Sequence, residues 1–190
     1  METIERSAFI TWVAKVGLLP STNSPEQELG FEGPGEFHKF WLTPTAASDL
    51  PGFVSMLMTA TAPNGPFVLS LRGGANWFTG AEYGKSPLQD QLRDRILGTL
   101  PIPREFNGAL RFEEAEWRDA MMIILTMLVY GWRVPDDVEV IGPGRAAAFV
   151  TSHHGNVVVR CASAQRLNDF EQTMSAARFP AAPDSLFSPR

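Results

Sequence analysis

The chain is poor in the residues that staple or metallate small proteins: one cysteine and three histidines in 190 residues. A lone Cys161 excludes an intramolecular disulfide framework, so packing alone must hold this fold. His38 stands far in sequence from the adjacent pair His153-His154, and no Cys, Asp or Glu lies at zinc-ligand spacing around that pair. No metal and no cofactor are expected. Long apolar runs are missing too. The longest, Ala120 to Tyr130, contains Thr126 and falls well short of the roughly 20 residues that span a bilayer, so no membrane partner is expected. Excess positive charge is also absent: 16 Lys and Arg against 21 Asp and Glu leave a net charge of −5. That balance gives no general attraction to a phosphate backbone, and no nucleic-acid partner is expected. Walker A, GxGxxG and GxSxG patterns do not occur. The opening Met1-Glu2-Thr3-Ile4-Glu5 lacks the basic start and apolar run of a secretory signal, which points to a reducing, cytoplasmic address.

What is present suits a globular protein. A hydrophobic fraction of 44% with 19% charged residues is ordinary for a packed core, and residues 1–190 fit one domain. Fifteen prolines and sixteen glycines cluster between periodic segments, which implies many short connections. Ile4, Ala8, Phe9, Trp12, Val13 and Val16 recur at helical spacing and predict an amphipathic helix over residues 3–18. Residues 21–35 carry two prolines and no sustained period, which reads as a surface loop. A strand is expected over residues 36–43, then a helix capped by Ser48 or Asp49 whose stripe is Phe53, Val54, Leu57 and Met58. Phe67 to Leu71 reads as a short buried strand. Ser86 and Pro87 open a further helix that ends before Gly98, and a strand is expected over residues 108–112.

Residues 114–130 form the next predicted helix, apolar nearly all round in its second half, as in a buried central helix. Three strands then follow, Val138 to Ile141, Ala146 to Ser152 and Val157 to Cys161, separated by Gly142-Pro143-Gly144 and His154-Gly155. They predict an antiparallel meander over about residues 137–162. With His154-Gly155 in the turn, Ala148, Val150, Val157, Val159 and Cys161 share the core face, and Phe149, Thr151, His153, Asn156 and Arg160 the other. A closing helix from Ser163 turns Leu167, Phe170 and Met174 inward, and residues 180–190 form an arm. The expected fold class is α+β: an antiparallel sheet containing this meander, packed against helices.

Two segments carry side chains suited to a ligand. In Arg72-Gly73-Gly74-Ala75-Asn76-Trp77 the glycines leave backbone N–H groups accessible, and the arginine is able to grip a carboxylate or phosphate through two bonds. The structural alternative is a loop whose Trp77 packs onto the core. In His153-His154 both imidazoles reach one ligand only if the turn bends them together, because strand neighbours point to opposite faces. A polar hairpin tip is the alternative there. Acid–base work by either histidine needs a nearby carboxylate. Asp136, Asp137 and Glu139 are candidates, although Pro135-Asp136-Asp137 reads as a turn entering a strand.

Two functions compete on this basis. The first is a non-enzymatic module that binds a protein partner through exposed aromatic or acidic groups, with a general likeness to small acidic α+β domains of immunity and accessory proteins that no motif carries. It requires a contiguous exposed apolar or acidic patch. The second is a small enzyme or ligand-binding protein whose pocket lies between the Arg72–Trp77 loop and the His153-His154 hairpin.

Overall fold

A computed structural model describes residues 1–15, 18–20, 29–31, 37–63, 65–71, 76–78, 91, 94–95, 97–130, 137–142, 147–152 and 155–183. In chain order its elements are β1 (Glu2–Ile4), α1 (Arg6–Lys15), β2 (Leu18–Pro20), β3 (Leu29–Phe31), β4 (Phe37–Leu42), α2 (Leu50–Thr61), β5 (Phe67–Leu71) and β6 (Ala109–Phe112). A 3-10 turn over Glu114–Glu116 then leads into α3 (Trp117–Tyr130), followed by β7 (Val138–Gly142), β8 (Ala147–Ser152), β9 (Asn156–Cys161) and α4 (Ala164–Ala176). Seven strands form one antiparallel sheet in the order β1-β6-β5-β7-β8-β9-β4. The fold is thus α+β, with a sheet packed against helices, and β7, β8 and β9 are its meander.

Alternation decides which helices cover which face. Phe67, Leu69, Val138, Val140, Phe149, Val157 and Val159 point to one side, where α2, α3 and α4 close over them in the larger core cluster. Val68, Ala109, Ile141 and Ala148 point to the other, where Phe9 and Val13 of α1 cover them. Spacing puts Phe9 and Val13 one helical turn apart, so one short helix seals a second face. Every residue of β5 and of β7 is consequently buried. The inner stripe of α2 is Phe53, Val54, Leu57 and Met58, and that of α4 is Leu167, Phe170 and Met174, as their periodicity predicts. Ser163 caps α4, its Oγ accepting the Arg166 N–H at 3.2 Å.

Several elements differ from the sequence-based expectation. The predicted first helix is shorter, because Glu2, Thr3 and Ile4 pair with Arg111, Leu110 and Ala109 as an edge strand before α1 begins. Sheet hydrogen bonding overrides helical spacing there. Within the segment expected as a surface loop, Leu29–Phe31 pairs with Leu18–Pro20. Residues 21–28 and 32–36 lie outside the described residues, as does most of the helix expected after Ser86, of which residues 91, 94, 95 and 97 are helical.

The face assignment of the meander is corrected by one residue. Ser152 pairs with Asn156, so three residues separate β8 from β9, and the Gly155 N–H donates to the Ser152 carbonyl oxygen at 3.1 Å. Gly155 has φ +78°, the left-handed conformation such a three-residue turn requires at its last position. Phe149 and Thr151 therefore join Val157, Val159 and Cys161, while Ala148 and Val150 share the opposite face with Asn156 and Arg160. Both faces are buried at the centre, so hydrophobicity alone could not set this register. In α3, Ala120, Ile123, Ile124, Thr126 and Met127 are buried, but Met122 is 51% exposed.

Gly142 marks where β7 passes closest to α2: a Cβ there would lie 2.6 Å from the Thr61 carbonyl oxygen and 3.0 Å from the Ala62 Cβ. Gly142→Ala is expected to destabilise the fold by about 1–3 kcal/mol through overpacking. Urea unfolding reads this as a lower midpoint with an unchanged slope, and an unchanged midpoint would contradict so close an approach.

Candidate functional site

Of the expected ligand-binding residues, the structure places Asn76 and Trp77, while Arg72, His153 and His154 lie outside the described residues. Trp77 is 1% exposed. Its indole Nε1–H donates to the Gly108 carbonyl oxygen at 3.0 Å, and its main-chain N–H donates to the Phe106 carbonyl oxygen at 3.1 Å. Gly108 itself is held close on other sides, since a Cβ there would run into the Ile4 carbonyl oxygen and the Phe106 ring. The Asn76 Oδ1 accepts the Phe78 N–H at 2.8 Å, closing a turn on its own chain. Arg104 lies over the Phe78 ring, 4.9 Å from its centroid. These contacts anchor the loop to the core and leave Trp77 no surface to offer a ligand.

The strands that precede the two candidate segments end side by side. Leu71 and Thr151 both pair with Val138, so β5 and β8 finish at the same edge of the fold with β7 between them. Beside this end lie buried polar groups that sequence reasoning did not single out as a pair. Ser70 is fully buried, Glu139 is 3% exposed, and the Ser70 Oγ donates to Glu139 Oε2 at 2.9 Å. Asp137, two residues before Glu139 and on the same side of β7, is 4% exposed. The run Val138-Glu139-Val140 reads as a strand with one wet face. Only the cover on both faces turns Glu139 into a buried acid, and such groups persist where they are hydrogen-bonded.

Cys161 is sealed on the helix-covered side. Its burial pushes the thiol up to about 11, with Arg166 drawing it the other way, so it stays protonated at neutral pH. That agrees with its expected place on the core face. Among the described residues, no three His, Cys, Asp or Glu side chains converge on one point. No helix among them is long and apolar enough to cross a membrane.

The described residues line at least two surface clefts, each of about 310 Å³. One lies beside α3, where Leu100, Met122 and Ile123 form its floor and Arg95, Thr99 and Asp119 its rim. In α3 the only charged residues are Arg118 and Asp119 in the first turn, and none follows from Ala120 to Tyr130. Met122 is exposed on its outer side, while Met121, Leu125 and Leu128 are half-buried against the core. The second cleft lies at the β4 edge, between Trp41, Leu42, Phe53 and residues 178–183.

No family model matches the chain, and no curated protein or solved structure matches it either. The geometry of these surfaces is therefore what a functional reading rests on.

Trp77→Phe tests the anchoring role. It keeps the ring but strands the buried Gly108 carbonyl, and is expected to cost about 1–3 kcal/mol. Chemical denaturation checks this, and stability unchanged by the substitution would return Trp77 to the list of ligand-binding candidates.

Proposed function

We propose that the chain is a non-enzymatic protein-binding module of the immunity or accessory kind, and that its partner docks on the outer side of α3. The observation that carries this reading is Met122, 51% exposed in a helix with no charge beyond its first turn and bordering an apolar cleft. Exposed large apolar side chains grouped with a concavity are the usual mark of an interaction surface. Methionine suits that role because its unbranched, polarisable side chain adapts to the shape it meets. Arg95 and Asp119 on the rim offer one charge of each sign, which fits a segment that inserts an apolar side chain and keeps polar flanks in water. A helix presented to the cleft would place its anchors at successive turns along α3.

A second reading has its own support: Leu71 and Thr151 flank Val138, so the loop and hairpin named from the sequence leave the same end of the sheet. That arrangement suits a ligand site between the two segments, with Asp137 close by.

One experiment separates the two. A photo-crosslinking amino acid is introduced in the native cell at position 122, at position 153 and at exposed Ser175 as control. A discrete adduct from 122 and none from 175 is expected. An adduct from 153 alone moves the site to the sheet end, and none from either position contradicts both readings.

A further inference from the structure

β4 is the last strand of the sheet, and its outer side shows how this chain holds a peptide segment. β4 pairs with β9 on one side, from Phe37 opposite Cys161 to Leu42 opposite Asn156. On the other side the Ala182 N–H donates to the Phe40 carbonyl oxygen at 2.7 Å. In an antiparallel ladder each residue turns both main-chain groups to the same side and its neighbours turn theirs to the other. His38 and Leu42 therefore present N–H and C=O groups outward together with Phe40. Neither has a main-chain partner on that side among the described residues.

Residues 179–183 run along this edge as a strap. The Trp41 Nε1–H donates to the Phe179 carbonyl oxygen at 3.1 Å, and the Phe179 ring meets Phe53 edge to face at 5.3 Å. Gly52 lies beside that ring, where even a Cβ would sit in ordinary contact at 3.7 Å. Pro180 and Pro183 supply no N–H, so the strap has few donors with which to build a ladder. The cleft of about 310 Å³ beside it is space the strap leaves unfilled. Leu42 is 55% exposed and Phe37 36%, so both ends of the edge are apolar and accessible. The nearby charges of Lys39 and Glu171 are spent on each other.

We propose that the β4 edge takes up an extended, uncharged peptide segment of a partner protein as an added strand, and that residues 179–183 are an intramolecular occupant of the same groove. The strap defines the chemistry of the guest. An aromatic side chain enters the slot formed by Trp41, Gly52 and Phe53, its carbonyl takes the indole hydrogen bond, and a small residue three places later pairs with Phe40. An incoming strand with more N–H donors gains bonds at His38 and Leu42 that the strap does not make, which is how strand addition wins affinity. The α3 face plays no part in this, so the inference stands apart from the reading above.

The test uses the full chain and a synthetic peptide of residues 179–183, Phe-Pro-Ala-Ala-Pro, blocked at both ends and titrated to millimolar while backbone amide shifts are followed. Wild type is compared with Ala182→Pro, which removes the donor to Phe40, and with Phe179→Ala, which empties the aromatic slot. A tethered occupant competes at an effective concentration in the millimolar range, so weakening it is expected to tighten peptide binding about tenfold or more. The shifts should centre on His38, Phe40 and Leu42. Two folded variants that bind no peptide, or whose shifts lie away from β4, overturn the proposal. Unfolding of both variants also overturns it, because the strap would then be an indispensable part of the core. Concentration-dependent dimers formed through β4 would assign the edge to a second copy of the chain instead.

Discussion

Leu69 faces Val140 at the middle of the sheet, and from that pair outward every residue of β5 and β7 is shut off from water. An antiparallel sheet often leaves one face wet, which would allow polar residues at alternate positions. Here α1 occupies the face that would have been wet, and α2, α3 and α4 occupy the other. The main chain of both strands satisfies itself in the ladder, as buried backbone must. The polar side chains caught in the centre find partners as well, most directly in the bond from Ser70 to Glu139.

This dry, two-sided centre confines the proposed contacts with other molecules to the periphery. A carboxylate as enclosed as Glu139 and a thiol held protonated as Cys161 are structural groups in that setting. The surfaces proposed for a partner lie at the periphery instead: the outer side of α3, where Met122 is exposed, and the β4 edge, which residues 179–183 cover in part among the described residues. Both are apolar, and neither carries a strong charge of one sign. That agrees with the modest net charge of −5 and its lack of any bias toward phosphate.

Much of this architecture was legible in the sequence. The meander follows from three short runs of β-branched residues with turn glycines between them, and α2 and α4 follow from apolar stripes one turn apart. The strand at Glu2–Ile4 was not legible, because its pairing with Ala109 to Arg111 is a contact across more than half the chain. The register at Ser152 and Asn156 was missed because both faces of β8 are apolar, so sliding the turn by one residue exchanges one buried set for another. Of the candidate site, the structural reading of Trp77 was available from its position after a buried strand. The exposure of Met122 was not, since an all-apolar helix looks fully covered until its neighbours are known. Glu139 was named as a candidate carboxylate, but its burial was hidden for the opposite reason: a lone acid between valines looks solvated until a second layer is seen above it.

Native-state hydrogen exchange tests the two-sided burial most directly, because protection follows the free energy of opening each amide. The account predicts that amides of Phe67–Leu71 and Val138–Ile141 exchange only through global unfolding, while those of His38 and Leu42 exchange fastest in the sheet. Exchange at β5 and β7 as rapid as at β4 would mean that one face of the sheet is open to water, and would contradict it.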